Sequence, residues 1–314
     1  MINSVESTFR ETAYFLIKRL FGCLGNLNAI KDPVIHKKIL DFIYVKWEKL
    51  GKVKDELKLN DLAQVILPLS HFAPWLFEAI YQLSHSFQHG KLIAYKTLCR
   101  MVIRSALSYS PYDSAQNSFD SVNNEFMDLF YMTLHQGLRS EDRNVINCII
   151  QNCGTKFWHC MLPSSTILFK DFIDACSFVD SNGPKLDAAS ILGCFICFPD
   201  YFGDMKVLNK DPAPQLNQLA SNSAEDNLTI DFYTKEELKN FLIQNITNFT
   251  DNISNTNSKC VILCSLTCFI YDEILNNNWN HARLNDAIKR IFKGELTILH
   301  EILIHFWDSF KIFC

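Results

Sequence analysis

Apolar residues return every third or fourth position along most of this chain, and polar residues fill the positions between. The clearest block follows Asp32–Pro33, a helix start with an aspartate N-cap and proline at the first helical position. Beyond it Ile35, Ile39, Phe42, Ile43, Trp47 and Leu50 recur at helical spacing, and Gly51 stands where the element is expected to close. Strand-type alternation over such a length is absent. The same spacing predicts helices over 4–21, 68–82, 90–107, 120–137, 141–152, 163–179, 184–198, 234–249, 258–275, 281–293 and 295–312. Pro74 marks a kink or boundary inside the second of these, and Pro163 sits at another start. The 184–198 segment is apolar nearly all round, the mark of an inner helix.

Two connections differ from the rest. Residues 108–119 (SYSPYDSAQNSF) and 209–231 (NKDPAPQLNQLASNSAEDNLTID) are rich in Asn, Ser and Pro and read as mobile polar stretches. Three regions are therefore expected: a helical repeat-like segment over 1–208, a mobile linker over 209–231, and a helical continuation over 232–314. Helices pair roughly every 40 residues, the pace of armadillo- or HEAT-like stacking, in which each pair buries its apolar face against its neighbours. The expected fold is all-α with stacked helix pairs, and an irregular helical bundle is the alternative. Phe306, Phe310 and Phe313 continue at helical spacing up to the last residue, so the array is expected to be truncated there.

Composition narrows the function classes. Hydrophobic residues are 48% of the 314 and charged residues 20%, below the roughly 25% of an average soluble domain. A net charge of −4 without a basic stripe argues against nucleic acid, whose binding rests on phosphate neutralisation. The longest apolar run, 260–271, is shorter than the roughly 20 residues needed to span a bilayer. Charged residues at the N-terminus (Glu6, Arg10, Glu11, Lys18, Arg19) do not suit a signal peptide. The 12 cysteines sit mostly in apolar runs and read as core side chains of a reduced, cytoplasmic protein.

Each residue set that could carry chemistry has a plainer reading. Cys194 and Cys197 form a CxxC late in an apolar helix, without the exposed helix start that redox chemistry uses. Cys260, Cys264 and Cys268 share a helix face, but the outer two are about 12 Å apart along the axis, too far for one zinc ion, and core packing is expected. His85 and His89 have metal-ligand spacing, yet HSFQHGK lacks a glutamate between them and reads as a loop. His300 and His305 flank apolar positions of the last helix. The carboxylate pairs Asp41/Glu48 and Glu236/Glu237 belong to solvated helix surfaces, and the sequons at Asn227, Asn245, Asn248 and Asn252 are expected in an Asn-rich chain by chance. Phosphate-cradling loops and nucleophile elbows are missing. No catalytic, cofactor-binding or metal residue, and no cofactor, is assigned. Trp47, Trp75 and Trp158 are expected in the core, with interface anchoring as the other reading.

A family resemblance adds to this. GCLGNLNAIKDPVIHKKILDFIYVKWEKL (22–50), LPLSHFAPWLFEAIY (67–81), GKLIAYKTLCRM (90–101) and FMDLFYMTLHQGLRSEDRNVINCIIQNC (126–153) resemble the helical region of Ral GTPase-activating protein alpha subunits. So do LPSSTILFKDFID (162–174), AASILGCFICFPDYFG (188–203) and KCVILCSLTCFIYDEIL (259–275), in the family's order. The beta subunit of the same complex is the runner-up. The resemblance implies an extended helical region ahead of a Rap-GAP-type catalytic domain, whose asparagine assists hydrolysis of GTP on Ral. No stretch of this chain matches that domain. The implied role is a non-catalytic scaffold and assembly segment whose partners are the beta subunit and, through the missing domain, a Ral-type GTPase. A generic armadillo-type adaptor and, further off, a metal- or thiol-dependent enzyme are the alternatives.

Overall fold

The structure is a computed structural model that describes residues 22–23, 25–57, 69–107, 124–160, 164–179, 182–197, 205–208, 230–251 and 256–275, with 15, 19 and 162 as isolated positions. The expected helices over 281–293 and 295–312 and the proline start at 163 lie outside these residues, as do nearly all of 4–21 and most of both polar stretches.

Among the described residues the fold is all-α, helices stacked on helices, with one small exception. The helices are α1 (Pro33–Leu57), α2 (Leu69–Tyr81), α3 (Gln88–Leu107), α4 (Asn124–Leu138), α5 (Arg143–His159), α6 (Phe169–Ser177), α7 (Asn182–Cys197), α8 (Lys235–Asp251) and α9 (Thr256–Leu275). The exception is an antiparallel pair, β1 (Met205–Leu208) and β2 (Ile230–Tyr233), in register from Met205↔Tyr233 to Leu208↔Ile230. Ile230 and Asp231, assigned from sequence to the linker, are therefore paired strand residues.

The chain forms two compact units, residues 1–127 and 128–314. In the first, α1 and α2 both pack on α3. Asp32 caps α1 as expected: its Oδ1 accepts from the Val34 and Ile35 amides at 2.7 and 3.2 Å. Gly51 does not end the helix, which runs on to Leu57. A Cβ at Gly51 would displace the Arg104 guanidinium of α3, the far end of a flexible side chain, which also lies 5.7 Å over the Trp47 ring. Pro74 is no boundary either, because α2 continues through it with the ring exposed.

In the second unit α7 lies against α5 and α9 and touches α6 and α8 as well, the inner position its all-round apolarity demands. Gly193 lets α9 approach α7, since a Cβ there would strike the Ser265 hydroxyl. An aromatic cluster fills the core. Phe157 stacks on Phe172 at 5.4 Å, and Trp158 meets Phe172 edge-on at 5.2 Å and Phe195 at 4.7 Å. Phe169 packs 4.1 Å from Phe195.

Helix α5 carries a kink at Gly154, whose φ of 52° and ψ of −158° fall in a region open essentially to glycine alone. The kink lies three and four residues before Phe157 and Trp158, which anchor the aromatic cluster. Gly154→Ala is expected to lower the unfolding free energy by about 1–3 kcal/mol, measured by urea titration. An unchanged midpoint would show that this backbone is not constrained.

Candidate functional site

Polar residues buried in an apolar stack must satisfy one another, and among the described residues two histidine-centred groups do so between elements. The first joins α1, α2 and the 3-10 turn Leu27–Ala29. Asn28 Nδ2 donates to the Trp75 carbonyl and to Glu78 Oε2, both at 3.0 Å, and its Oδ1 lies 3.0 Å from His36 Nε2. Because the amide nitrogen is already donating, Oδ1 accepts, and His36 must carry its proton on Nε2. Nδ1 then faces Gly90 of α3, close enough that any Cβ there would collide with the ring. It has no hydrogen-bond partner among the described residues.

Burial lowers the pKa of His36 from the usual 6.5, because a second proton on Nδ1 would find no acceptor. A histidine depressed on folding takes up protons more readily when unfolded, so its contribution is complete at neutral pH and fades as the pH falls below 6.5. In an NMR titration the His36 ring signals are expected to show a midpoint below 6.5. A midpoint at or above 6.5 would contradict this geometry.

The second group is in the second unit. His135 of α4 and Asp171 in the first turn of α6 are both fully buried, with Nδ1 and Oδ2 2.7 Å apart. Arg139 Nη1 lies 3.8 Å from Asp171 Oδ1. Burial raises the Asp171 pKa, against the hydrogen bond from His135 and the nearby Arg139 and Lys170 charges. A carboxylate holding an imidazole is the orienting half of a nucleophile triad. Here the ring's Nε2 has no partner among the described residues and the ring has no exposure, so no substrate atom can reach it. The pair bolts α4 to α6. The pair leaves only a faint mark in the sequence: one histidine in FYMTLHQGL and one aspartate in ILFKDFI, each within an apolar run.

Cys194 is half-buried on α7, and burial raises its thiol pKa. Nothing is described of the Cys197 side chain. Cys260, Cys264 and Cys268 are exposed, contrary to the core packing expected of them. Ile262, Leu263, Leu266 and Phe269 fill the buried face of α9 and turn the cysteine row outward. Those thiols have no hydrogen-bonded base among the described residues, which an activated nucleophile needs. His85 and His89 are exposed, and His89 opens α3 instead of lying in a loop. His300 and His305 lie outside the described residues. Asp41 pairs with Lys37 at 3.8 Å on the surface of α1. Glu237 forms a capping box with Thr234, taking its amide and hydroxyl at 2.9 and 2.8 Å, and these bonds lower the carboxyl pKa. Asn245 Nδ2 donates to the Phe241 carbonyl, and its Oδ1 accepts from the Ser177 hydroxyl of α6. Trp47 and Trp158 are in the core, and Trp75 is half-buried.

The interior polar groups thus serve packing, and no group of three or more metal-ligating side chains occurs among the described residues. What the chain is related to comes from comparison. It is 31% identical to Ral GTPase-activating protein subunit alpha-2 of Mus musculus over 96% of its own length, and 29% identical to human subunit alpha-1 over 90%. This chain is homologous to one segment of the Ral GTPase-activating protein alpha subunits. The segment is a small one, since the chain spans 16% of mouse alpha-2 and 13% of human alpha-1. A Rap-GAP domain-containing protein of Dictyostelium discoideum matches at 23% identity over 73% of this chain, again through 14% of its own length. No protein-family model matches the chain, and no solved structure matches it. Among the described residues no helix is long and apolar enough to cross a membrane.

Proposed function

We propose that this chain is a non-catalytic scaffold and assembly segment of a Ral GTPase-activating protein alpha subunit. It would promote hydrolysis of GTP on a Ral-type GTPase only together with a Rap-GAP-type domain, and would join the alpha subunit to a beta subunit. One observation carries the reading: nearly the whole chain aligns with a small fraction of proteins named for GTPase activation. The interior supports it, because the His135–Asp171 and His36–Asn28 hydrogen bonds tie helices and turns together. A cytoplasmic setting belongs to the same proposal, in keeping with ten free cysteines among the described residues.

The purified chain is expected to co-elute with the beta subunit of the complex in size-exclusion chromatography. Separate elution at micromolar concentration would count against the assembly role and favour an adaptor of another pathway.

A further inference from the structure

Helix α1 has two faces of opposite use. Its inner ridge, His36, Leu40, Ile43, Tyr44, Trp47 and Gly51, is buried within the first unit. On the opposite side Val34, Lys38, Phe42, Val45, Lys49 and Lys52 follow one another at steps of three and four, all exposed. Val34 is 60% exposed and Phe42 44%, and Ile35 and Lys46 flank the line. Lys46 Nζ sits 5.4 Å over the Phe42 ring, so a lysine stem shields the largest apolar group. Asp41 beside the ridge is engaged with Lys37. Lys38, Lys49 and Lys52 have no carboxylate partner among the described residues.

The geometry points to a docking surface: we propose that the outer ridge of α1 receives an acidic amphipathic helix of the partner subunit. This rests on the assembly reading above. Apolar groups and uncompensated ammonium groups alternate along about five turns, so the complement is a helix with apolar residues at the same spacing and carboxylates between them. A second copy of the chain using this face would set lysines against lysines. An anionic membrane is matched less well. Interfacial helices keep an unbroken apolar face with cations at its margins, whereas Lys38 and Lys49 lie on the midline of this one.

The test uses the whole chain, with Lys38→Glu/Lys49→Glu and Phe42→Ser as variants. Every changed side chain is exposed, and circular dichroism and melting temperature check that each variant stays folded. Binding is measured to three probes: the beta subunit, a synthetic helical peptide of leucines at three- and four-residue steps with glutamates between, and phosphatidylserine vesicles. The wild-type chain is expected to bind the beta subunit and the peptide, each more weakly at higher salt, and the charge-reversed variant to bind both at least about tenfold more weakly. Phe42→Ser should weaken both as well. If the beta subunit binds the variants and the wild type equally, the docking surface is wrong and the assembly reading stands. If the wild type binds the peptide and not the beta subunit, the assembly reading fails while the acidic-helix chemistry holds. Failure to bind the peptide, or Phe42-dependent adhesion to the vesicles without peptide binding, overturns the proposal.

Discussion

Replacing Asp171 with alanine is expected to cost about 3–5 kcal/mol of stability, the loss that follows when one member of a buried ionisable pair is removed. Both side chains of the His135–Asp171 pair are completely buried and meet at 2.7 Å, and Arg139 stands 3.8 Å from the second carboxylate oxygen. Alanine would leave the imidazole Nδ1 without its acceptor where water cannot replace it, and would open a gap at the α4–α6 contact. Asp171→Asn keeps an oxygen within reach of Nδ1 and should cost clearly less. Urea unfolding of the two variants checks the order. Equal losses would mean that neither the side-chain volume nor the retained oxygen supports the site, and that only the carboxylate does.

The aromatic cluster supplies the second large effect. Phe172 is fully buried, stacked on Phe157 and edge-on to Trp158. Phe172→Ala removes a whole ring from a core that can only partly collapse, at about 3–5 kcal/mol, a large part of the roughly 5–15 kcal/mol of a typical domain. Phe178, six residues on and 56% exposed, provides the control: its alanine variant should stay within about 0.5 kcal/mol of wild type. Comparable losses at both sites would place Phe178 in packing that its exposure does not suggest.

Element type was easier to read from the chain than element ends or facing. Helical periodicity locates all nine described helices, because each must bury one continuous side. It misplaces the end of α1, since Gly51 looks like a stop signal in sequence and proves to be the point where the Arg104 guanidinium crosses the helix. It also rotates the buried face of that helix. Counting only aliphatic and aromatic positions favours Ile35 and Phe42, but the inner ridge includes His36, Tyr44 and Gly51, which a hydrophobic pattern passes over. The same limit explains the cysteine row. Cys260, Cys264 and Cys268 resemble core residues by type, yet α9 already has Ile262, Leu263, Leu266 and Phe269 for its buried side.

The polar groups were less legible. Asp171 and His135 are 36 residues apart, and only the folded stack brings them together. The kink at Gly154 is equally silent in sequence, where a glycine within a helical stretch weakens a helix without saying how it bends. The strand pair is missed in sequence, because four-residue strands flanking a polar stretch give too short a run for alternation to stand out.

Single-turnover hydrolysis of GTP on purified Ral, with and without a molar excess of this chain, bears most directly on the non-catalytic scaffold role. The hydrolysis rate should equal that of Ral alone, with the chain folded by circular dichroism in the same buffer. Acceleration proportional to the concentration of the chain would show that these helices carry activating chemistry of their own.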